Sequence, residues 1–180
     1  MPPQSSPPSD AALPVAVREI RFEHRRQPVG IGAAQPRLSW LTESAAPGWR
    51  QAAYQVALNR FDGRGTQHTD WVESCDSVLV PWPFAALRSR EQVQLRLRVR
   101  GADNETSPWS EPATVEAGLL HPDDWTARFV TPDWDEDITT PQPCPLLRRD
   151  FDVKPGITRA RLYVTALGLY EAQLNGAVVG

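Results

Sequence analysis

The acidic run Asp133-Trp134-Asp135-Glu136-Asp137 is the first place where residue type and spacing suggest chemistry. Carboxylates at alternate positions imitate the opening ligands of a calcium loop, which also needs a glycine at its sixth position and a bidentate glutamate at its twelfth. Ile138 and Cys144 hold those places, so no calcium site is expected. The same acids sit too close together, on a loop flanked by prolines, to face one another across a scissile bond with a rigid separation. A solvated acidic linker is the expectation.

His24, His68 and His121 stand far apart, without Cys, Asp or Glu at ligand spacing, and no G-x-S-x-G or H-E-x-x-H string accompanies them. They read as surface histidines. Ser107 and Ser110, flanking Trp109, read as turn residues rather than nucleophiles. Trp40 and Trp109 are expected to anchor a core. Trp49, Trp82 and Trp134, in loops flanked by Pro or Gly, are expected on an exposed surface that docks a further domain or stacks on sugar. Arg96, Arg98 and Arg100, with Arg88 and Arg90 nearby, form a basic row whose simplest role is a solvent face resisting edge-to-edge sheet pairing. No catalytic, cofactor-binding or metal-ligating residue is assigned, and no cofactor is expected.

The elements that must carry these side chains read as strands. Proline is frequent at 18 of 180 residues and no long stretch has helical period, which argues for an all-β chain. The clearest strand spans 91–100, where Val93, Leu95, Leu97 and Val99 alternate with Gln94, Arg96, Arg98 and Arg100. Val15, Val17, Ile20 and Phe22 alternate with a one-residue slip, as a bulge produces. Further strands are expected at 36–41, 54–58, 71–74, 77–81 and 114–117, with turns at 63–66 and at Asp103-Asn104. About seven short strands between residues 15 and 120 describe a fibronectin-III-like or immunoglobulin-like sandwich. Residues 121–144 read as a linker with a short strand at 126–130.

Residues 145–180 read as an incomplete second β-sandwich, with strands at 147–153 and 160–164 and a hairpin at Asn175-Gly176, where both positions accept φ > 0. Only Ala177-Val178-Val179-Gly180 is left for the returning strand. An isolated ribbon of this kind is marginal in water, so the chain is expected to be cut within a domain. Residues 1–14, rich in Pro and Ser, lack a basic segment followed by an apolar one and read as a disordered tail. A net charge of −3 gives no reason to expect nucleic acid or an anionic membrane as partner. Cys75 and Cys144, too few and unpatterned for a disulfide scaffold or a zinc site, fit free thiols in the cytoplasm.

With the elements placed, several strings become recognisable. Pro28-Val29-Gly30-Ile31 with Gln35-Pro36-Arg37-Leu38-Ser39-Trp40, then Gln51-Ala52-Ala53-Tyr54-Gln55-Val56 and Ser107-Pro108-Trp109-Ser110-Glu111-Pro112, resemble the opening of the bacterial α-L-rhamnosidases. Gly118-Leu119-Leu120 with Asp124-Trp125 resembles the junction after that family's first domain. Pro145-Leu146-Leu147-Arg148, followed by residues 160–171 and Leu174-Asn175-Gly176, is similar to the start of its second module, which is jelly-roll-like. The resemblance implies a parent glycoside hydrolase that removes terminal non-reducing α-L-rhamnose with inversion. It also implies that the catalytic acids belong to an (α/α)6 barrel absent from this chain. The fragment is then catalytically silent alone, and its partner is the missing barrel of the same parent. The alternative is a freestanding carbohydrate-binding or protein-interaction module.

Overall fold

A computed structural model describes residues 15–61, 63, 65–135, 137 and 139–179. The stretch 1–14, expected as a tail, lies outside the described residues. One unit ends at Trp125 and a second begins at Thr126.

The first unit is a β-sandwich of two unequal sheets. In the smaller, β1 (Ala16–Phe22) pairs antiparallel with β3 (Leu38–Glu43). The expected slip is present: the register shifts between Arg18 and Arg21, where Glu19 takes φ 51°. That extra residue brings Val17, Ile20 and Phe22 to the same buried side. The larger sheet adds β2 (Val29–Ile31), β4 (Gln51–Asn59), β5 (Thr66–His68), β6 (Val72–Glu73), β7 (Gln92–Gly101) and β8 (Ala113–Ala117). Its order is β2-β8-β7-β4-β5, with β6 also on β4. Every pairing in it is antiparallel except β2 on β8.

β7 is central because its alternation is unbroken. Val93, Leu95, Leu97 and Val99 are fully buried and face Tyr54, Val56 and Leu58 of β4, Val115 of β8, and Phe22, Leu38 and Trp40 from the smaller sheet. The segment between β6 and β7 closes the core with Val80, Trp82 and Leu87.

The structure corrects several expectations. No continuous strand forms over 77–81. Leu79 takes φ 52°, breaking the pleat, and only Val80 bridges to Leu38, through two hydrogen bonds of 2.8 Å. β2 and β5 were not expected. β2 is short and contains Gly30 at φ 75°, whose carbonyl would lie 3.0 Å from a Cβ placed on Gly118. Gly118 thus lets the chain leaving β8 pass beside β2.

In the second unit no strand forms over 126–130, 147–153 or 160–164. Leu147, Phe151, Val153, Leu162 and Val164 are exposed, and alternation alone does not make a strand, which also needs an opposite backbone in register. The hairpin alone is present: β9 (Gln173–Leu174) pairs with β10 (Ala177–Val178) across Asn175 at φ 50° and Gly176 at φ 83°. Among the described residues the only helical element is a 3-10 turn, Pro122–Asp124, and no helix is long and apolar enough to cross a membrane.

Candidate functional site

The outer face of the larger sheet carries an extended array of polar and aromatic side chains drawn from several elements. Ala53 and Ala57 of β4 point to this face, away from the main core, yet both are buried. Their neighbours across the ladder explain why. Ala57 lies opposite Arg96 on β7 and His68 on β5, and Ala53 opposite Arg100 on β7 and Glu73 on β6. Small residues leave room for long side chains to fold over them.

That roof is a ladder of rings and guanidinium groups. Arg98 lies 4.6 Å from the centre of the Trp109 ring and 5.1 Å from that of Trp71. Arg100 lies 4.8 Å from the Trp71 ring and pairs with Glu73. His68 packs against Trp109 with centroids 5.6 Å apart. Gln55, opposite Arg98 in register, accepts hydrogen bonds from Arg98 Nε at 2.9 Å and Nη2 at 2.6 Å. Each cation–π contact contributes about 0.5–1 kcal/mol where exposed and about 2 where desolvated.

Trp109 is held over the sheet by the two serines beside it. Ser107 N–H donates to the Val99 carbonyl at 2.9 Å while Ser107 Oγ accepts the Val99 N–H at 3.0 Å. Ser110 does the same with Leu97, at 2.9 Å and 3.0 Å. Serine oxygen thus stands where a partner strand's carbonyl would. Each hydroxyl proton is also used, donated to Pro108 O and Glu111 O at 2.9 Å. Both serines are buried and committed to backbone, so neither is free to act as a nucleophile.

The other residues singled out from the sequence scatter. Trp40 is buried in the core, as expected, and donates to Gln51 Oε1 at 3.0 Å. Trp109 is not a core anchor; it is half-buried on the outer face. Trp82 is not exposed: it is 7% accessible, donates to the Ala85 carbonyl and packs edge-on to Phe84. Trp49 is half-buried against the core, and Trp134 is exposed. His24 and His121 are exposed and separate from His68. Arg88 and Arg90 lie on the turn before β7, where Arg90 donates to the Asp124 carbonyl at 2.7 Å.

Asp133 and Asp135 are exposed, and Glu136 and Ile138 lie outside the described residues. Asp137 accepts Thr139 N–H at 2.9 Å and Thr139 Oγ1 at 2.6 Å, and these bonds hold its carboxyl below the usual range. Asp124 is likewise lowered, chiefly by the Ser89 hydroxyl and then by the His121 N–H, closing the 3-10 turn onto the segment before β7. Among the described residues no group of three or more His, Cys, Asp or Glu is placed to hold a metal ion.

Sequence reasoning did not single out Trp71, His68 and Gln55 as parts of one array. The available signal was the pair of alanines on β4, which makes both faces of that strand apolar opposite an arginine row.

The family model described as Rha78A-like, N-terminal immunoglobulin domain matches residues 17–121. An α-L-rhamnosidase of Streptomyces avermitilis is 34% identical over 181 residues, covering 87% of this chain and 18% of that protein. One from Alteromonas sp. (strain LOR) is 33% identical, covering 83% of this chain and 17% of that protein. The crystal structure of native α-L-rhamnosidase from Aspergillus terreus superimposes with a TM-score of 0.59 at 42% identity, over 62% of this chain and 13% of that one. The chain therefore spans under a fifth of the length of the curated relatives it matches.

Proposed function

Since the chain belongs to the family of Rha78A-like N-terminal immunoglobulin domains, we propose that it serves as a non-catalytic portion of a longer α-L-rhamnosidase. The longer protein would hydrolyse terminal non-reducing α-L-rhamnose with inversion. That reaction needs one carboxylic acid to protonate the leaving oxygen and one carboxylate to activate water from the opposite face. Asp133, Asp135 and Asp137 sit on a single loop and cannot take both positions. The fibronectin-III-like sandwich would instead pack against a catalytic barrel supplied by the rest of the protein, and the segment after Trp125 would join a second sandwich.

The observation that carries this reading is the asymmetry of the alignments: 87% of this chain against 18% of its S. avermitilis relative. Free, exposed Cys75 and Cys144 support a reducing, cytoplasmic setting. The test is hydrolysis of a chromogenic α-L-rhamnoside by the 180-residue chain and by the longer protein containing it. Turnover is expected only from the longer protein, with inverted product by NMR. Turnover by the chain alone would overturn the assignment.

A further inference from the structure

The hydrogen bonding of Arg98 leaves a specific gap. A guanidinium presents five N–H donors in a planar fork suited to the two oxygens of a carboxylate. Here Nε and Nη2 both converge on one neutral oxygen, Gln55 Oε1. Among the described residues no carboxylate pairs with Arg98 or with Arg96, two positions along the same face. The cation is nevertheless held half-buried between two tryptophans, in a chain of net charge −3. Arg100 differs, because Glu73 satisfies it and closes that end of the row. Toward Arg96 the face is open: Arg96 and His68 are exposed, and Trp109, packed against His68, is half-exposed.

We infer that this face, centred on Arg98, Arg96, Trp109 and His68, binds the carboxylate of a uronic-acid unit in a polysaccharide. Arg98 is pre-positioned by Gln55 and the two rings, so little of its rotamer freedom is lost on binding. Its remaining donors and Arg96 supply the charge complement, while the Trp109 rim offers an apolar surface to the carbon face of a pyranose. These side chains alone account for the preference for an anion, and a sugar as its carrier rests on the proposed glycosidase function. The site lies on the non-catalytic sandwich, so it would hold an acidic chain rather than cleave it.

The test is titration of the 180-residue chain, by tryptophan fluorescence and amide NMR, with methyl glucuronide, methyl glucoside and sodium sulfate. Saturable binding of the glucuronide with Kd around 1 mM is expected, weakening with added salt. The glucoside and sulfate should each bind at least tenfold more weakly. Arg98→Gln should abolish saturation and Arg96→Gln should weaken it about threefold to tenfold. Arg148→Gln, in the exposed pair with Asp150, should change nothing. If Arg98→Gln disturbs the amide spectrum, Arg96→Gln decides alone, since Arg96 is exposed and roofs less of the face. No saturable binding, equal binding of the neutral glucoside, or equal binding of sulfate (an ion site only) would each overturn the proposal. So would full retention in Arg96→Gln. None of these bears on rhamnoside cleavage by the longer protein, so the two readings fail separately.

Discussion

Replacing Ser107 and Ser110 by alanine tests the account of how Trp109 is placed. Both hydroxyl oxygens accept buried backbone N–H groups of β7, from Val99 and Leu97, at 3.0 Å. Alanine removes the acceptor without removing the donor, and Ser107 is only 3% accessible, so water cannot readily substitute. A buried donor left without a partner costs about 1–3 kcal/mol, so the double variant should lose about 2–6 kcal/mol, less any overlap between neighbouring sites. That is a large share of the roughly 5–15 kcal/mol that holds a domain folded. With a urea dependence of about 1–3 kcal/mol per molar, each single change should lower the unfolding midpoint by about 1 M. Amide exchange of Val99 and Leu97 should accelerate in the variants before global unfolding does. Ser44→Ala is the comparison, because Ser44 Oγ accepts only the exposed Ala46 N–H and should cost under about 0.5 kcal/mol. An unchanged midpoint with Val99 and Leu97 still protected in the double variant would refute the reasoning.

Two further outcomes follow from the same sandwich. Glu23, held by the Arg37 side chain and then by the Arg37 N–H, has its carboxyl lowered to about 2 from an ordinary 4.5. Its folded form therefore gains stability above pH 4.5 that fades as pH falls toward 2, and Glu23→Gln should flatten this acid limb by on the order of 1 kcal/mol, the scale of a solvent-touched pair; an unaltered limb in urea titrations across that range would sink it. Gly101→Ala places a Cβ 2.6 Å from Trp49 Nε1 and 2.4 Å from Asp103 Oδ1, so it should cost about 1–3 kcal/mol. Wild-type stability by thermal melting would contradict it.

The sheet core was legible because β7 repeats its apolar residues without interruption and its inward side chains are all buried. The bulge in β1 could be read from the slip between Val17 and Ile20, since a face that must be buried cannot tolerate a register error. Asn104 at φ 67° and Asn175 at φ 50° took the left-handed turns their residue type favours. What local pattern could not supply was partnership. Trp82 looks like a loop residue in sequence and becomes core because the segment after β6 folds back over the sandwich. Trp109 looks like a core anchor and is turned outward by two serines whose backbone partners lie eight and thirteen residues earlier. The outer-face ladder draws on β4, β5, β6, β7 and two loops, so no window of sequence contains it.

The second unit shows the same limit from the other side. Leu147, Phe151 and Val153, like Leu162 and Val164, have the period of half-buried strands, yet all five are exposed. Period two specifies which side chains share a face; it does not supply the hydrogen-bonding neighbour that makes a strand or the surface that covers the face. Only at Asn175-Gly176, where the turn itself delivers the partner two residues later, does pairing form. Leu146 at 95% and Leu167 at 90% accessibility are costly to leave in water, at about 25 cal/mol per Å² of apolar surface. An apolar alternation without a covering surface is thus a demand for one, and the proposed longer protein is the reading under which that demand is met.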